Sequence, residues 1–418
     1  LRAAWAPSGW RQFLPPPRRL EVTDGELAVL IVCTLVTTIG LAGDIARHLM
    51  NPGDLEGDFL SGWHLVLYGG VASVGAWIAW GAFRRGPSFV GSVPTTTIGF
   101  LTLTVGGAFD AVWHEVYGTE KAVEALVSPP HLVVFAGLVL LLTSPLVLLW
   151  PRPVDRLGLV ASIAAVVSVV SALLVASLFT GFLSPMAGGL SLQAGYVEPL
   201  VGESLSEYDQ VRGLGVVVWT AALVVAGFTP LLARFGVTRG LLGLGVATLG
   251  LPPVVLSGES SLPVLVSFVA AGIAMEVAVA LWARPTLGRV AAPVTGALVA
   301  GVLWAASFWA LEADGRMWWT PALRWGSVMI AAMIGAATAA LVTLPVSRRP
   351  SPVAPVDLAG GEPTELAGTV TGGGPPASAG AVEPAVAGAS NGHGGPVPHA
   401  VAEPVGAATH VPAREDRP

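Results

Sequence analysis

The chain has 418 residues, 53% of them hydrophobic and 11% charged, with a mean hydropathy of +0.71. Soluble domains carry roughly a quarter charged residues, so a water-soluble globular protein is excluded. The net charge of -6 is spread over separate loops and a tail and leaves no basic face for nucleic acid. The single cysteine, Cys33, excludes an intrachain disulfide and any cysteine-based zinc or iron-sulfur site.

The basic N-terminal segment, 1–25, carries Arg2, Arg11, Arg18 and Arg19 around the break Pro15-Pro16-Pro17. The apolar run behind it is too long for a signal-peptide core and lacks a small-residue cleavage site, so it is read as a retained first span. About 20 apolar residues cross the hydrocarbon of a bilayer. On that measure ten spans are expected: 26–49, 62–83, 94–114, 130–150, 157–182, 214–233, 240–257, 261–283, 289–311 and 322–345. The fold class is therefore an all-α integral membrane protein of about ten transmembrane helices. Residues 26–150 form a four-helix duplicated hairpin unit, and 151–345 a six-helix membrane region.

Arginines mark every second connection: Arg84 and Arg85, Arg152 and Arg156, Arg234 and Arg239, Arg284 and Arg289, Arg348 and Arg349. Acids mark the others, among them Asp54, Glu56 and Asp58, then Glu115, Glu120 and Glu124, and later Glu312 and Asp314. The positive-inside rule puts the arginines in the cytoplasm. Both termini are then cytoplasmic and the acidic connections extracytoplasmic, in a cell-membrane protein. The longest outer connection, 183–213, carries Tyr196 and Tyr208, suited to the membrane interface. From 346 to 418 the composition turns to Pro, Gly, Ala and Val, no period survives, and a disordered tail is expected. His393, His399 and His410 are scattered through it without metal-ligand spacing.

The first four spans repeat one pattern. Asp44, three residues and His48 are followed by His64 in HLVLYGG; Asp110, three residues and His114 are followed by His131 in HLVVFAG. In each copy the aspartate and first histidine sit one helical turn apart and share a face. The second histidine opens the returning helix, behind Ser61-Gly62-Trp63 in one copy and Ser128-Pro129-Pro130 in the other. Serine is a good helix cap and proline is favoured in a first turn. A helix N-terminus also favours neutral imidazole, the form that ligates metal.

Repetition of the same donors in the same order points to a unit with a task. The expected site takes His48, His64, His114 and His131 with Asp44 and Asp110, the two hairpins supplying the halves of one site. This donor set suits zinc, copper(II), iron or manganese; copper(I) lacks its soft ligands here apart from Met50. Asp58, Glu115 and Glu120 are accessory candidates from the outer loops. No haem, flavin or nucleotide signature is present. Hydrogen-bonded helix packing is the competing account of such polar residues.

The Asp-x3-His pattern with a second histidine on the next helix, at Asp44, His48 and His64 and again at Asp110, His114 and His131, resembles the copper-binding pattern in the C subunit of copper membrane monooxygenases. There the second gap is shorter and the motif occurs once. The resemblance implies copper at these positions. The stretch FDAVWHEVYG followed by SPPHLVVFAG is similar to a pattern in uncharacterised bacterial multi-pass membrane proteins, which implies no activity.

Spans six to ten contain no histidine. Glu276 lies in the eighth, where an ionisable group is a functional candidate by default. Pro252-Pro253 should break the seventh. Glu312, Asp314 and Arg316, before Trp318, Trp319, Thr320 and Pro321, occupy the position of the motif in a later hairpin without its histidines. Trp304, Trp309, Trp318, Trp319 and Trp325 read as an interface belt with some packing. Three function classes remain: a metal-dependent membrane oxidoreductase fed by an electron-donor subunit, a metal or cation transporter with Glu276 as a stepping stone, and a structural or assembly protein without metal.

Overall fold

A computed structural model describes residues 22–50, 62–118, 127–152, 156–181, 185–187, 207–257, 261–284 and 286–344. Most of the basic N-terminal segment, most of the long outer connection and the whole of the expected tail lie outside these residues. Among the described residues every regular element is helical: α1 (Asp24–Met50), α2 (Gly62–Arg85), the short α3 (Ser88–Ser92), α4 (Pro94–Tyr117), α5 (Pro129–Leu149), α6 (Leu159–Phe179), α7 (Glu207–Arg234), α8 (Leu241–Thr248), α9 (Leu251–Ser257), α10 (Leu262–Trp282), α11 (Ala291–Ala313) and α12 (Pro321–Thr343). Helices satisfy every interior backbone group locally, which is what a bilayer core demands.

Eight of these helices are long and apolar enough to cross a membrane. The other two expected spans depart from that standard for visible reasons. Helix α4 has the length, 24 residues, but carries threonines at 95, 96, 97, 102 and 104 as well as Asp110 and Glu115. The seventh expected span is broken: α8 ends at Thr248, a turn follows at Leu249-Gly250, and α9 restarts with Pro252 and Pro253 in its first turn. Proline disfavours helical geometry in the preceding residue and donates no backbone hydrogen bond, so the break falls just ahead of the pair.

The termini of the helices carry familiar devices. Thr23 and Glu26 form a reciprocal capping box at the start of α1, with Thr23 N donating to Glu26 Oε2 at 2.9 Å and Glu26 N donating to Thr23 Oγ1 at 3.3 Å. Glu26 also pairs with Arg85 at the end of α2, closing the basic end of the first hairpin. Arg152 donates to Val22 O and Arg234 to Arg152 O, both at 2.6 Å, so the ends of α5 and α7 gather there too. The basic ends of the helices thus meet at one end of the bundle, and the aspartates and histidines of the hairpins lie towards the other.

Helices α1 and α5, one from each hairpin, both pack against α6. Thr38 Oγ1 donates to Ser171 Oγ at 2.9 Å, and Leu146 N donates to Ser168 Oγ at 3.2 Å beside the interruption at Pro145. Helices α10, α11 and α12 pack in succession, and α7 covers α12. The tryptophans of this region divide. Trp304 and Trp319 are buried on either side of Phe308, with ring centroids 5.5 and 5.7 Å away, whereas Trp309, Trp318 and Trp325 are exposed.

Candidate metal centre

The repeat in sequence is a repeat in packing. In the first hairpin Gly40 meets the backbone of Leu67, where an added β-carbon would lie 2.4 Å from the amide nitrogen, and one added to Gly70 would lie 2.6 Å from Thr37 N. In the second, a β-carbon added to Gly106 would lie 3.0 Å from Val134 and one added to Gly137 2.6 Å from Leu103. These four contacts correspond pair by pair. One constant offset relates Thr37, Gly40 and Asp44 to Leu103, Gly106 and Asp110; an offset longer by one relates His64, Leu67 and Gly70 to His131, Val134 and Gly137. Missing side chains let two backbones approach closely, as small residues do in membrane helix pairs. The aspartate lies one turn beyond the glycine on the same face, so the seam that draws the helices together ends in the polar donors.

In the second hairpin those donors converge. Asp110 Oδ1 stands 3.5 Å from His114 Nε2 and 3.5 Å from His131 Nε2. All three ligand atoms lie within 4.8 Å of one another. The two contacts are long for N–H···O bonds, which cluster near about 2.9 Å, and Asp110 Oδ1 accepts no hydrogen bond among the described residues. Donors held about 2.0 to 2.2 Å from a tetrahedral zinc ion stand roughly 3.3 to 3.6 Å apart. The spacing therefore fits two ligands of one ion better than a donor and its acceptor. The Asp110 side chain is 15% exposed, against 29% for His114 and 26% for His131. The carboxylate is the more deeply buried of the three groups, and neither Asp110 Oδ1 nor His114 Nε2 has appreciable surface of its own.

Ser128 has a role that its position ahead of a helix conceals. It occupies the cap of α5 in an extended conformation, yet its side chain makes no capping bond. Its hydroxyl lies 2.7 Å from His131 Nδ1 instead, buried with Ser128. A capping side chain normally accepts from the second or third helical amide; here the second helical residue is Pro130, which has none, and the hydroxyl faces the imidazole of the third, His131, in place of its amide. With the proton on Nδ1 donated to Ser128 Oγ, His131 Nε2 presents its lone pair towards Asp110 and His114. That is the second-sphere arrangement common to metal-bound histidines. The doubled proline after the serine is the sequence signal for it.

In the first hairpin His64 Nε2 lies 3.3 Å from Asp44 Oδ2, and Asp44 is buried. The His64 ring stacks on Tyr68, with centroids 5.7 Å apart and planes 8° from parallel. Tyr68 stands within electrostatic reach of both Asp44 and Asp110, and α2 packs on α4, so the two hairpins are neighbours. The matching residue in the second hairpin is Phe135, which packs on Phe179 at 4.3 Å. His48 belongs to α1, but its side chain lies outside the described residues, as do Asp58, Glu120 and Ser61.

The remaining accessory candidates stand elsewhere. Glu115 is exposed on α4 and is not part of the three-residue group. Glu276 lies in α10 and accepts hydrogen bonds from Gly240 N at 3.1 Å and Gly243 N at 2.8 Å, where it caps the start of α8 from a neighbouring helix. A carboxylate at a helix N-terminus is stabilised by the free amides and the dipole, which accounts for an acid in a membrane helix structurally. In the hairpin of α11 and α12, Glu312 pairs with Arg324 at 2.6 Å and Asp314 with Arg316.

No protein-family model, curated protein or solved structure matches the chain, so the chemistry of the site rests on its own residues.

Proposed function

We propose that this multi-pass membrane protein binds a transition-metal ion through Asp110, His114 and His131 at the extracytoplasmic ends of α4 and α5. The observation that carries the reading is the single oxygen, Asp110 Oδ1, placed 3.5 Å from both Nε2 atoms. Two imidazoles and one carboxylate are the donor set of open catalytic zinc sites and of non-haem iron sites. Copper(II) also accepts such donors. Three protein ligands leave coordination positions for water or a substrate, which suits a metal-dependent reaction at the membrane surface. If the ion is redox-active, its electrons come from a partner subunit, since the chain carries no haem, flavin or nucleotide motif. The extracytoplasmic assignment follows from the arginines gathered at the opposite ends of the helices.

Cation transport finds less support, because the one acid suited to an onward route, Glu276, is occupied in holding the start of α8. The test is elemental analysis of the chain purified in mild detergent, wild type beside a His114→Ala, His131→Ala variant. Near-stoichiometric metal in the wild type and its loss in the variant is the expected result. Metal content equal in the two, at any level, would sink the site and leave hydrogen-bonded packing as the account of these residues.

A further inference from the structure

We propose that the first hairpin builds a second metal site of its own, so that the chain binds two ions, one within each hairpin, rather than one ion shared between them. The inference rests on the reading of the second hairpin as a metal site and extends it to the duplicate. Three observations carry it. Among the described residues the ligand atoms that gather within 4.8 Å come from the second hairpin, so a three-donor group closes inside one hairpin. The glycine contacts relate the two hairpins residue by residue, which gives α1 and α2 the interhelical approach and register that bring Asp110 to His131. The first hairpin then repeats the contact itself: Asp44 Oδ2 and His64 Nε2 stand 3.3 Å apart, with Asp44 buried.

The third donor follows from the register of α1. The offset that takes Asp44 to Asp110 takes His48 to His114, so position 48 stands one turn beyond the carboxylate on the face that continues the seam. Two imidazoles and a carboxylate again form the donor class, and a borderline divalent ion such as zinc is its natural occupant. The sites are not equivalent. His64 stacks on Tyr68, whereas the matching Phe135 of the second hairpin packs on Phe179, so the two histidines have different neighbours.

The experiment is metal titration of the full chain in detergent, stripped with chelator and reloaded with cobalt(II), whose visible bands report the donors of each ion. Two ions per chain are expected. An Asp44→Asn, His64→Gln variant and a His114→Gln, His131→Gln variant should each retain one ion with different cobalt spectra, and the fourfold variant none. One ion per chain lost in both double variants would overturn the proposal in favour of a shared ion. One ion lost only with His114 and His131 would overturn it while leaving the second hairpin's site intact. No bound ion in the wild type would overturn both readings. Because each double variant retains its partner's site, the spectrum of the remaining ion shows that the chain is folded.

Discussion

Several helix pairs of this bundle close on small residues, yet among the described residues only the first two hairpins bring aspartate and histidine together at the end of the seam. In α11 and α12, Gly296 and Gly335 face each other so closely that a β-carbon on Gly296 would fall 2.0 Å from Gly335 O. The end of that hairpin where α11 passes into α12 carries Glu312 paired with Arg324 at 2.6 Å. In α4 and α5 the corresponding seam ends in Asp110 facing two imidazoles. The difference teaches that glycine contacts are a packing device, and that the residues beyond them decide the chemistry. A carboxylate opposite a guanidinium is satisfied by charge and by hydrogen bonds. A carboxylate opposite two imidazoles brings one oxygen and two ring nitrogens towards one point, the donor set that a transition-metal ion takes.

The sharpest way to test this division is to break the seams. Gly137→Leu and Gly296→Leu each force a side chain into backbone contact, and overpacking of this kind costs roughly 1 to 3 kcal/mol. Thermal unfolding in detergent should fall in both variants, but metal content should fall only with Gly137→Leu. Equal metal loss in the two would mean that the centre depends on general stability and not on the hairpin that carries it.

Next in size is the removal of donors. His131→Ala should abolish metal retention through dialysis, while Glu312→Gln should leave metal content unchanged by elemental analysis. Retention in the first variant would break the contrast between the hairpins.

A smaller effect is expected from Ser128→Ala. Loss of a partner that orients a ligand typically costs about 10- to 100-fold in metal affinity. Competition with a chromophoric chelator should show a loss of that order, and Ser128→Thr should recover most of it. A loss in unfolding temperature with affinity unchanged would return Ser128 to a structural role.

The smallest effect belongs to Arg324→Ala. Its partner Glu312 is 58% exposed while Arg324 itself is 14% exposed, so the pair is screened from one side only; fully exposed ion pairs contribute roughly 0.2 to 1 kcal/mol. A marginal change in unfolding temperature with no change in metal content is the expected outcome; a fall in metal content would link the two ends of the chain in a way the packing does not.

Much of this was legible without coordinates, and the parts that were not share a cause. Hydropathy, span length and the break at Pro252-Pro253 are local properties, summed over neighbouring residues, and the helices α1 to α12 follow them closely. Glu276 illustrates the other kind. As an acid in an apolar run it reads as functional, but its partners, Gly240 and Gly243, lie on another helix, and only their approach shows that it holds the start of α8. Trp304 and Trp309 are equally apolar and five residues apart, yet one is core and the other faces outward.

The amino-acid sequence by itself determined that the chain is an all-helical membrane protein, that its first four long helices repeat one aspartate and histidine pattern, and which residues are candidate nitrogen and oxygen donors. These follow from composition, length and repetition, which need no knowledge of neighbours. Only the tertiary structure decided that Asp110, His114 and His131 gather within one hairpin, that Ser128 turns from capping α5 to holding an imidazole, and that glycine seams set the approach. The reason is geometric. A site is a distance between side chains on different helices, and that distance is fixed by how closely two backbones pack.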